Sequence, residues 1–133
     1  MGSVLLLNYS HPIDGQQREH LSTMLGTEVE VRNIPVQVDQ RAPLEPQIIA
    51  LADAAMLSIE QWQITAILIN PPGLAIAAVL LLAEIHGRSG HFPATVHIRP
   101  KTGPIAGYEI GGLINVQELR ERARGRRRNR DDQ

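Results

Sequence analysis

The stretch ITAILINPPGLAIAAVLLLAEIHG, residues 64–87, decides the fold class. Its first part, residues 64–69, is a short continuous apolar run, which is typical of a strand buried on both faces of a sheet. The sequence NPPG at residues 70–73 then breaks the chain, and residues 74–86 have the length and composition of a helix that Gly87 would end. Because this helix is apolar nearly all round, we expect burial on more than one side, with a subunit interface as the second cover.

Strands and helices alternate on both sides of this stretch. Upstream, the patterns predict a strand at 3–8, a helix at 13–25 and an alternating strand at 28–38 that Pro35 places at an edge or splits. A second helix is expected at about 46–61, with an apolar face through Ile49, Ala52, Met56 and Ile59. Downstream, we expect strands at 95–99 and 107–116 and a final helix that Asn115 and Glu118 cap. The order β-α-β-α-β-α-β-β-α predicts one α/β domain, with a mostly parallel sheet and helices on both faces.

Composition excludes several classes of function. The chain has 133 residues, which suits one domain, and its aromatic residues are only 3%, too few for a stacking platform that binds single-stranded nucleic acid. Cysteine is absent, which rules out disulfides, thiolate nucleophiles and cysteine-ligated metals, and favours a reducing compartment. The apolar stretches are too short for a signal peptide or a bilayer span, so we expect a cytoplasmic protein without membrane contact.

Charge divides the chain into two parts. Residues 120–133 hold seven arginines and three acidic residues, net +4, whereas residues 1–119 hold six basic and eleven acidic residues, net -5. We therefore expect a domain at 1–119 and an arginine-rich C-terminal tail at 120–133. The body lacks a basic face for duplex binding. The tail could make weak, non-specific contacts with RNA or another polyanion, or could be only a solubilising extension.

Three loops follow the carboxyl ends of predicted strands, where open α/β sheets bind ligands. They are Ser10-His11-Pro12, NPPG at 70–73, and Arg99-Pro100-Lys101. In NPPG, Pro71 sets the angle, Gly73 permits close approach to the backbone, and the free amides of the next helical turn could bind an anion. A plain strand-to-helix turn is the alternative interpretation. We expect the three loops to meet at one edge of the sheet.

The side chains of the other two loops suit a phosphate. Ser10 and His11 can donate hydrogen bonds, Arg99 can make a bidentate contact, and Lys101 offers a point charge. A capped turn and a solvated strand end are the alternatives. The histidines at 86, 91 and 97 lack a carboxylate partner and metal-like spacing, and no dinucleotide or phosphate-loop motif occurs, so we expect no metal and no cofactor.

Taken together, three motifs resemble a known family. LLLNYSHP (5–12), ILINPPGL (67–74) and LLAEIHGRSGHFPATVHIRP (81–100) are similar to small accessory proteins of type III CRISPR systems, which are related to the CRISPR-associated Rossmann-fold (CARF) sensors and ring nucleases. The resemblance covers about residues 3–116. It implies a Rossmann-like, CARF-like homodimer that binds a cyclic oligoadenylate, most often cyclic tetra-adenylate, across the dimer axis during antiviral signalling. A ligand between dimers could also link them into larger assemblies.

Carried onto this chain, the resemblance gives a set of binding candidates and a dimer contact, helix 74–86. The candidates are Asn8, Ser10, His11, Asn70, Pro71, Gly73 and Arg99. Backbone donors and one histidine suffice for capture, so we expect the messenger to be bound and sequestered. A metal-independent ring nuclease is the alternative, in which the ribose 2′-hydroxyl attacks, His11 acts as acid or base, and Arg99 stabilises charge. An RNA-binding accessory that acts through the arginine tail is the third hypothesis.

Overall fold

Ten elements follow one another along the chain in a computed structural model that describes residues 3–131, with side chains through residue 128. They are β1 (Val4–Asn8), α1 (Gly15–Leu25), β2 (Val29–Asn33), α2 (Leu44–Asp53), α3 (Ile59–Ile64), β3 (Ile67–Asn70), α4 (Ala75–Ser89), β4 (Ala94–Pro100), β5 (Tyr108–Ile114) and α5 (Val116–Asp131). The strands form one sheet in the order β2-β1-β3-β4-β5. All neighbours are parallel except the antiparallel pair β4 and β5. The predicted mostly parallel α/β sheet is therefore confirmed, and the arrangement is consistent with a Rossmann-like fold.

The core lies on both faces of this sheet. Leu5, Leu7 and Ile69 face one way and pack with buried residues of α2, α3 and α4. Leu6 and Leu68 face the other way and pack with Leu21 of α1. Adjacent residues of β1 and β3 thus feed opposite clusters, which explains why both strands are continuously apolar.

The segment between β2 and β3 differs from the single helix predicted at 46–61. Two helices form there, because Met56 adopts a left-handed conformation (φ 58) and Ser58 begins α3 with a capping box to Gln61. Of the predicted apolar face only Ala52 is buried, whereas Ile49 is 37% exposed, Met56 80% and Ile59 84%. The residues that α2 buries are Ile48, Leu51 and Ala52. The strand predicted from residue 64 accordingly begins only at residue 67.

Helix α4 continues past the predicted stop at Gly87. It ends at Gly90, which takes the left-handed conformation (φ 85) and donates its N–H to the carbonyl of His86. Ala77, Leu81 and Ile85 are buried, but Val79 is 63% exposed and Ile76 is 41% exposed. One apolar strip of α4 is therefore uncovered in the single chain.

The strand predicted at 28–38 is shorter than expected, because β2 ends at Asn33. The boundaries of β1, α1, β4 and β5 lie within two residues of the predicted ones. Gly26 caps α1, Asp14 accepts from Gln17 at its start, and β2 is an edge strand that ends before Pro35. Helix α5 begins four residues before the predicted boundary of the arginine tail, and residues 132–133 of that tail lie outside the described part of the chain. Among residues 3–131, no helix combines the length and the apolar character that a membrane crossing needs.

Candidate functional site

The chain leaves β1 toward β2 on one side and later places β3 on the other side of β1. The strand order therefore reverses between β1 and β3, which is where open α/β sheets bind ligands. A cleft of about 640 Å³ lies at this point and is called the strand-end cleft below. It is lined by Ser10, His11, Pro12, Gln17, Asn70, Pro71, Thr95, Val96, His97, Ile98, Tyr108 and Ile114. Two of the three predicted loops meet there.

Asn8, the last residue of β1, holds the Ser10-His11-Pro12 loop in place. Its side chain is fully buried and makes four hydrogen bonds. Nδ2 donates to the His11 carbonyl (2.9 Å) and to Asn33 Oδ1 (2.8 Å), while Oδ1 accepts from the Ser10 N–H (3.1 Å) and from Asn70 Nδ2 (2.9 Å). Asn8 is absent from the cleft lining. Its hydrogen bonds hold the loop and Asn70 in place, so it is a positioning residue.

The Asn8 network also determines how Asn70 is oriented. Because Asn8 Oδ1 already accepts from the Ser10 N–H, the group that Asn70 turns toward it must be the Nδ2 donor. Asn70 is 6% exposed and lines the cleft. Its Oδ1 has no hydrogen-bond partner within residues 3–128. A fixed acceptor is thus available to a ligand.

Tyr9 ties the same loop to the helical layer behind the sheet. Its hydroxyl donates to the Leu51 carbonyl at 3.1 Å, and its backbone N–H donates to the Asn70 carbonyl at 2.9 Å. Burial raises the pKa of the Tyr9 hydroxyl well above its ordinary value, although the nearby Arg88 guanidinium acts in the opposite direction. The hydroxyl therefore stays protonated and keeps donating.

The opposite wall of the cleft comes from the β4–β5 hairpin. It includes His97, which is exposed, and Tyr108, which is 60% exposed. A Cβ added at Gly111 of β5 would lie 2.9 Å from His97 Nδ1 and 3.0 Å from Arg99 Cδ. Glycine at this position therefore lets both side chains cross β5.

The third predicted loop does not reach the cleft lining. Arg99 Nε and Nη2 each lie 3.0 Å from Glu109 Oε2, the residue opposite it on β5. Lys101 lines a separate depression that also contains Asp14 and Glu109. The reason is that β4 pairs with β3 only at its start and then runs on beside β5. Its terminal cations are thereby carried away from β3.

The residues of the NPPG turn do not all reach the strand-end cleft. Pro71 lines the cleft, whereas Pro72 is buried and Gly73 is exposed outside the lining. A Cβ at Gly73 would meet nothing within 4 Å, so the fold does not require glycine there. Leu74 is the N-cap of α4 and supplies no side-chain acceptor, which leaves the first-turn amides without a capping side chain.

The sequence predictions for this site omitted the hairpin residues. The cleft is lined by Thr95 and His97 of β4 and by Tyr108 and Ile114 of β5, which are brought to it by the antiparallel pairing of these two strands. The available signal was the alternation of residues 95–99, which puts His97 on the same strand face as Arg99.

The other histidines are accounted for by local structure. The His86 ring packs on Phe92 with centroids 4.3 Å apart, and His91 Nδ1 lies 3.2 Å from the Ser89 carbonyl. His86, in the last turn of α4, and His91, which follows the helix, therefore pack where the chain turns from α4 toward β4. Within the described residues, no three His, Asp or Glu side chains form a group that could hold a metal ion.

Comparisons with protein-family models, with curated proteins and with solved structures find no match for this chain. The functional argument therefore depends on the residues of the strand-end cleft and on their chemistry.

Proposed function

We propose that the protein binds and sequesters a cyclic oligoadenylate, with cyclic tetra-adenylate as the first candidate, in the strand-end cleft. The observation that carries this proposal is the buried Asn70 side chain, whose Oδ1 is fixed in a concave cleft and has no hydrogen-bond partner among the described side chains and backbone of residues 3–128. An adenine amino group or a ribose hydroxyl can donate to that oxygen. Sequestration would lower the free concentration of the messenger in type III CRISPR antiviral signalling.

The other groups of the cleft suit the remaining parts of such a ligand. Ser10 and His11 are exposed beside Asn70 and can donate to a phosphate oxygen. Pro12, Val96 and Ile98 provide apolar surface, and the exposed Tyr108 ring offers a face for a base. The cleft thus combines apolar walls with a few oriented polar groups, as small-molecule sites commonly do.

A homodimer would complete the site under this proposal. A ring of four phosphates with approximate two-fold symmetry suits two copies of one cleft around a two-fold axis. The uncovered apolar strip of α4, Ile76 and Val79, supports α4 as the contact, and Ile114 adds exposed apolar surface at the cleft. Binding at such an interface should make dimerisation and ligand affinity depend on each other.

The direct test is to incubate the protein with labelled cyclic tetra-adenylate in a metal-free buffer containing a chelator, with ligand in excess over sites. Retention of intact ligand, without linear products, is the expected result. His11→Ala should lower the affinity about tenfold, the loss expected for one hydrogen bond to a charged group. His20→Ala is the matched control, since His20 is exposed on α1 outside the cleft lining. Equal binding by wild type and His11→Ala would place the ligand elsewhere.

A second candidate function is cleavage of the same ring, because two imidazoles, His11 and His97, line one cleft. One could take the proton from a ribose 2′-hydroxyl while the other protonates the departing 5′-oxygen, leaving a linear product with a 2′,3′-cyclic phosphate. No metal takes part in this reaction. The test is whether the protein cleaves many ligand molecules per site without metal, and whether the rate has a bell-shaped pH profile that His97→Ala changes. Both results together would establish catalysis and rule out simple sequestration.

A further inference from the structure

Helix α5 projects from the body of the protein. From Glu118 to Arg128, every side-chain-bearing residue is exposed, and Gly125 is half-buried. The contacts of α5 with the sheet are to β4. Val116 and Gln117, at the start of α5, are half-buried. There, Gln117 Oε1 accepts from the Phe92 N–H at 2.9 Å. The helix is thus held at its root and exposed along its length.

The arginines of α5 are unequally neutralised. Arg122 pairs with Glu118 and Arg120 pairs with Glu121, each at 2.6 Å. The four that follow make no ion pair within residues 3–128: Arg124, Arg126, Arg127 and Arg128. With about 3.6 residues per turn, positions 124, 127 and 128 share one side of the helix, while position 126 lies on another.

This distribution selects among anionic partners. A membrane-surface helix needs an apolar face along its length, but the apolar face of α5, Val116, Leu119 and Ala123, ends before these four arginines begin, and no apolar side chain follows it. Single-stranded nucleic acid needs aromatic stacking, and α5 contains no aromatic residue. Duplex DNA needs neither. A helix about 10–12 Å in diameter fits a major groove about 12 Å wide, whereas the major groove of duplex RNA is too narrow.

We infer that α5 enters the major groove of duplex DNA and binds the phosphates on both of its sides, independently of sequence. Cations on two sides of the helix match two flanking backbones, and the projection keeps the acidic body away from the duplex. Arginines four residues apart repel one another, and an isolated helix of this length is marginal in water. Binding should therefore also increase the helical content of α5.

The test uses the full chain, a labelled random-sequence DNA duplex and fluorescence anisotropy at low salt. Replacing Arg124→Gln, Arg127→Gln and Arg128→Gln together should weaken binding by about 10- to 100-fold and reduce the salt slope by about 2.7, or 0.9 per lost phosphate contact. The same three positions changed to lysine keep the charge, so affinity should stay within about threefold of wild type. All three sites are exposed, so folding should be unaffected, and thermal unfolding checks this.

Two further measurements make the inference specific. Far-ultraviolet circular dichroism should show added helicity when duplex DNA is titrated into wild type, and none with the glutamine variant. Duplex RNA and single-stranded DNA of equal length should bind more weakly than duplex DNA. Tighter binding to either of those, or glutamine and wild-type proteins that bind duplex DNA equally, would overturn the inference. Since the arginines lie outside the cleft, these outcomes are independent of the cyclic tetra-adenylate result.

Discussion

The strand-end cleft and helix α5 both offer groups that suit anions, but they are constructed in opposite ways. The cleft is concave, the described residues that line it include no lysine or arginine, and its polar groups are oriented by buried hydrogen bonds. Helix α5 is convex and exposed, and four of its arginines make no ion pair with any other residue of the range 3–128. The cleft can therefore discriminate by shape and hydrogen-bond geometry, whereas α5 can respond only to charge density. The following predictions test that contrast.

The largest effect is expected from Asn8→Ala, which tests whether the cleft is held rigidly. The substitution leaves the Ser10 N–H and Asn70 Nδ2 without their acceptor, and should lower the free energy of unfolding by roughly 3–5 kcal/mol. Asn33→Ala is the matched control: Asn33 is exposed and accepts one of these bonds, so its loss should cost about 1 kcal/mol or less. Denaturant titration measures both. If the two variants unfolded with equal free energies, the view that the Asn8 hydrogen bonds hold the cleft rigid would be wrong.

The second-largest effect is expected from salt, which should weaken binding by α5 far more than binding in the cleft. If four arginines of α5 contact phosphates, raising the salt from about 50 to 200 mM should weaken duplex binding by about 150-fold. Binding of cyclic tetra-adenylate in the cleft should weaken by about threefold or less, because no lysine or arginine is found among the lining residues that the structure describes. Parallel anisotropy titrations give both slopes. Similar slopes would mean that the ligand in the cleft is also bound through arginines.

Gly111→Ala should alter the cleft without unfolding the protein. The added methyl group would lie 2.9 Å from His97 Nδ1, so the ring must move, and affinity for cyclic tetra-adenylate should fall about tenfold, or about 1.4 kcal/mol. Duplex binding by α5 should be unchanged. Gly73→Ala is the control, since a Cβ there meets nothing within 4 Å. Titration calorimetry measures the affinity for cyclic tetra-adenylate. Wild-type affinity in both variants would contradict the prediction.

Tyr9→Phe should give the smallest effect, about 1 kcal/mol in unfolding free energy, because it removes one hydrogen bond to the Leu51 carbonyl. The pH dependence has a defined sign. Burial raises the pKa of Tyr9 in the folded protein above its unfolded value of about 10, so its contribution is complete below pH 10 and is lost as the pH rises further. Denaturant titrations between about pH 10 and 11.5 should show that the free energy of unfolding falls less steeply with pH for Tyr9→Phe than for wild type.

The parts of the structure that could be predicted from sequence are those encoded by nearby residues. The buried strand before NPPG, the apolar helix after it and the Asp14 and Gly26 caps all follow from local pattern. The break between α2 and α3 was also encoded locally, in the spacing of Ser58 and Gln61, but the apolar periodicity masked it. Gly87 was predicted as the stop of α4, but the helix continues to Ser89, which is buried and has its hydroxyl within hydrogen-bond distance of the Ile85 and His91 carbonyls.

The site was less predictable, because its second wall depends on pairing between distant residues. The ends of β1 and β3 meet as parallel strands must, which brings Ser10, His11, Asn70 and Pro71 together. How far β4 extends past β3 is set by its hairpin with β5, and no local pattern encodes that length. Arg99 is therefore paired with Glu109, and His97 takes a place in the lining.

The four hydrogen bonds of Asn8 also constrain which residues evolution or a mutagenesis library can place there. The position needs a donor group for two acceptors and an acceptor for two donors on one short planar side chain. Aspartate lacks the donor, leucine lacks both groups, and glutamine places them one methylene farther out in a site that is fully buried. We therefore expect position 8 to accept only asparagine. Position 33, which is exposed and accepts one of these hydrogen bonds, can vary widely.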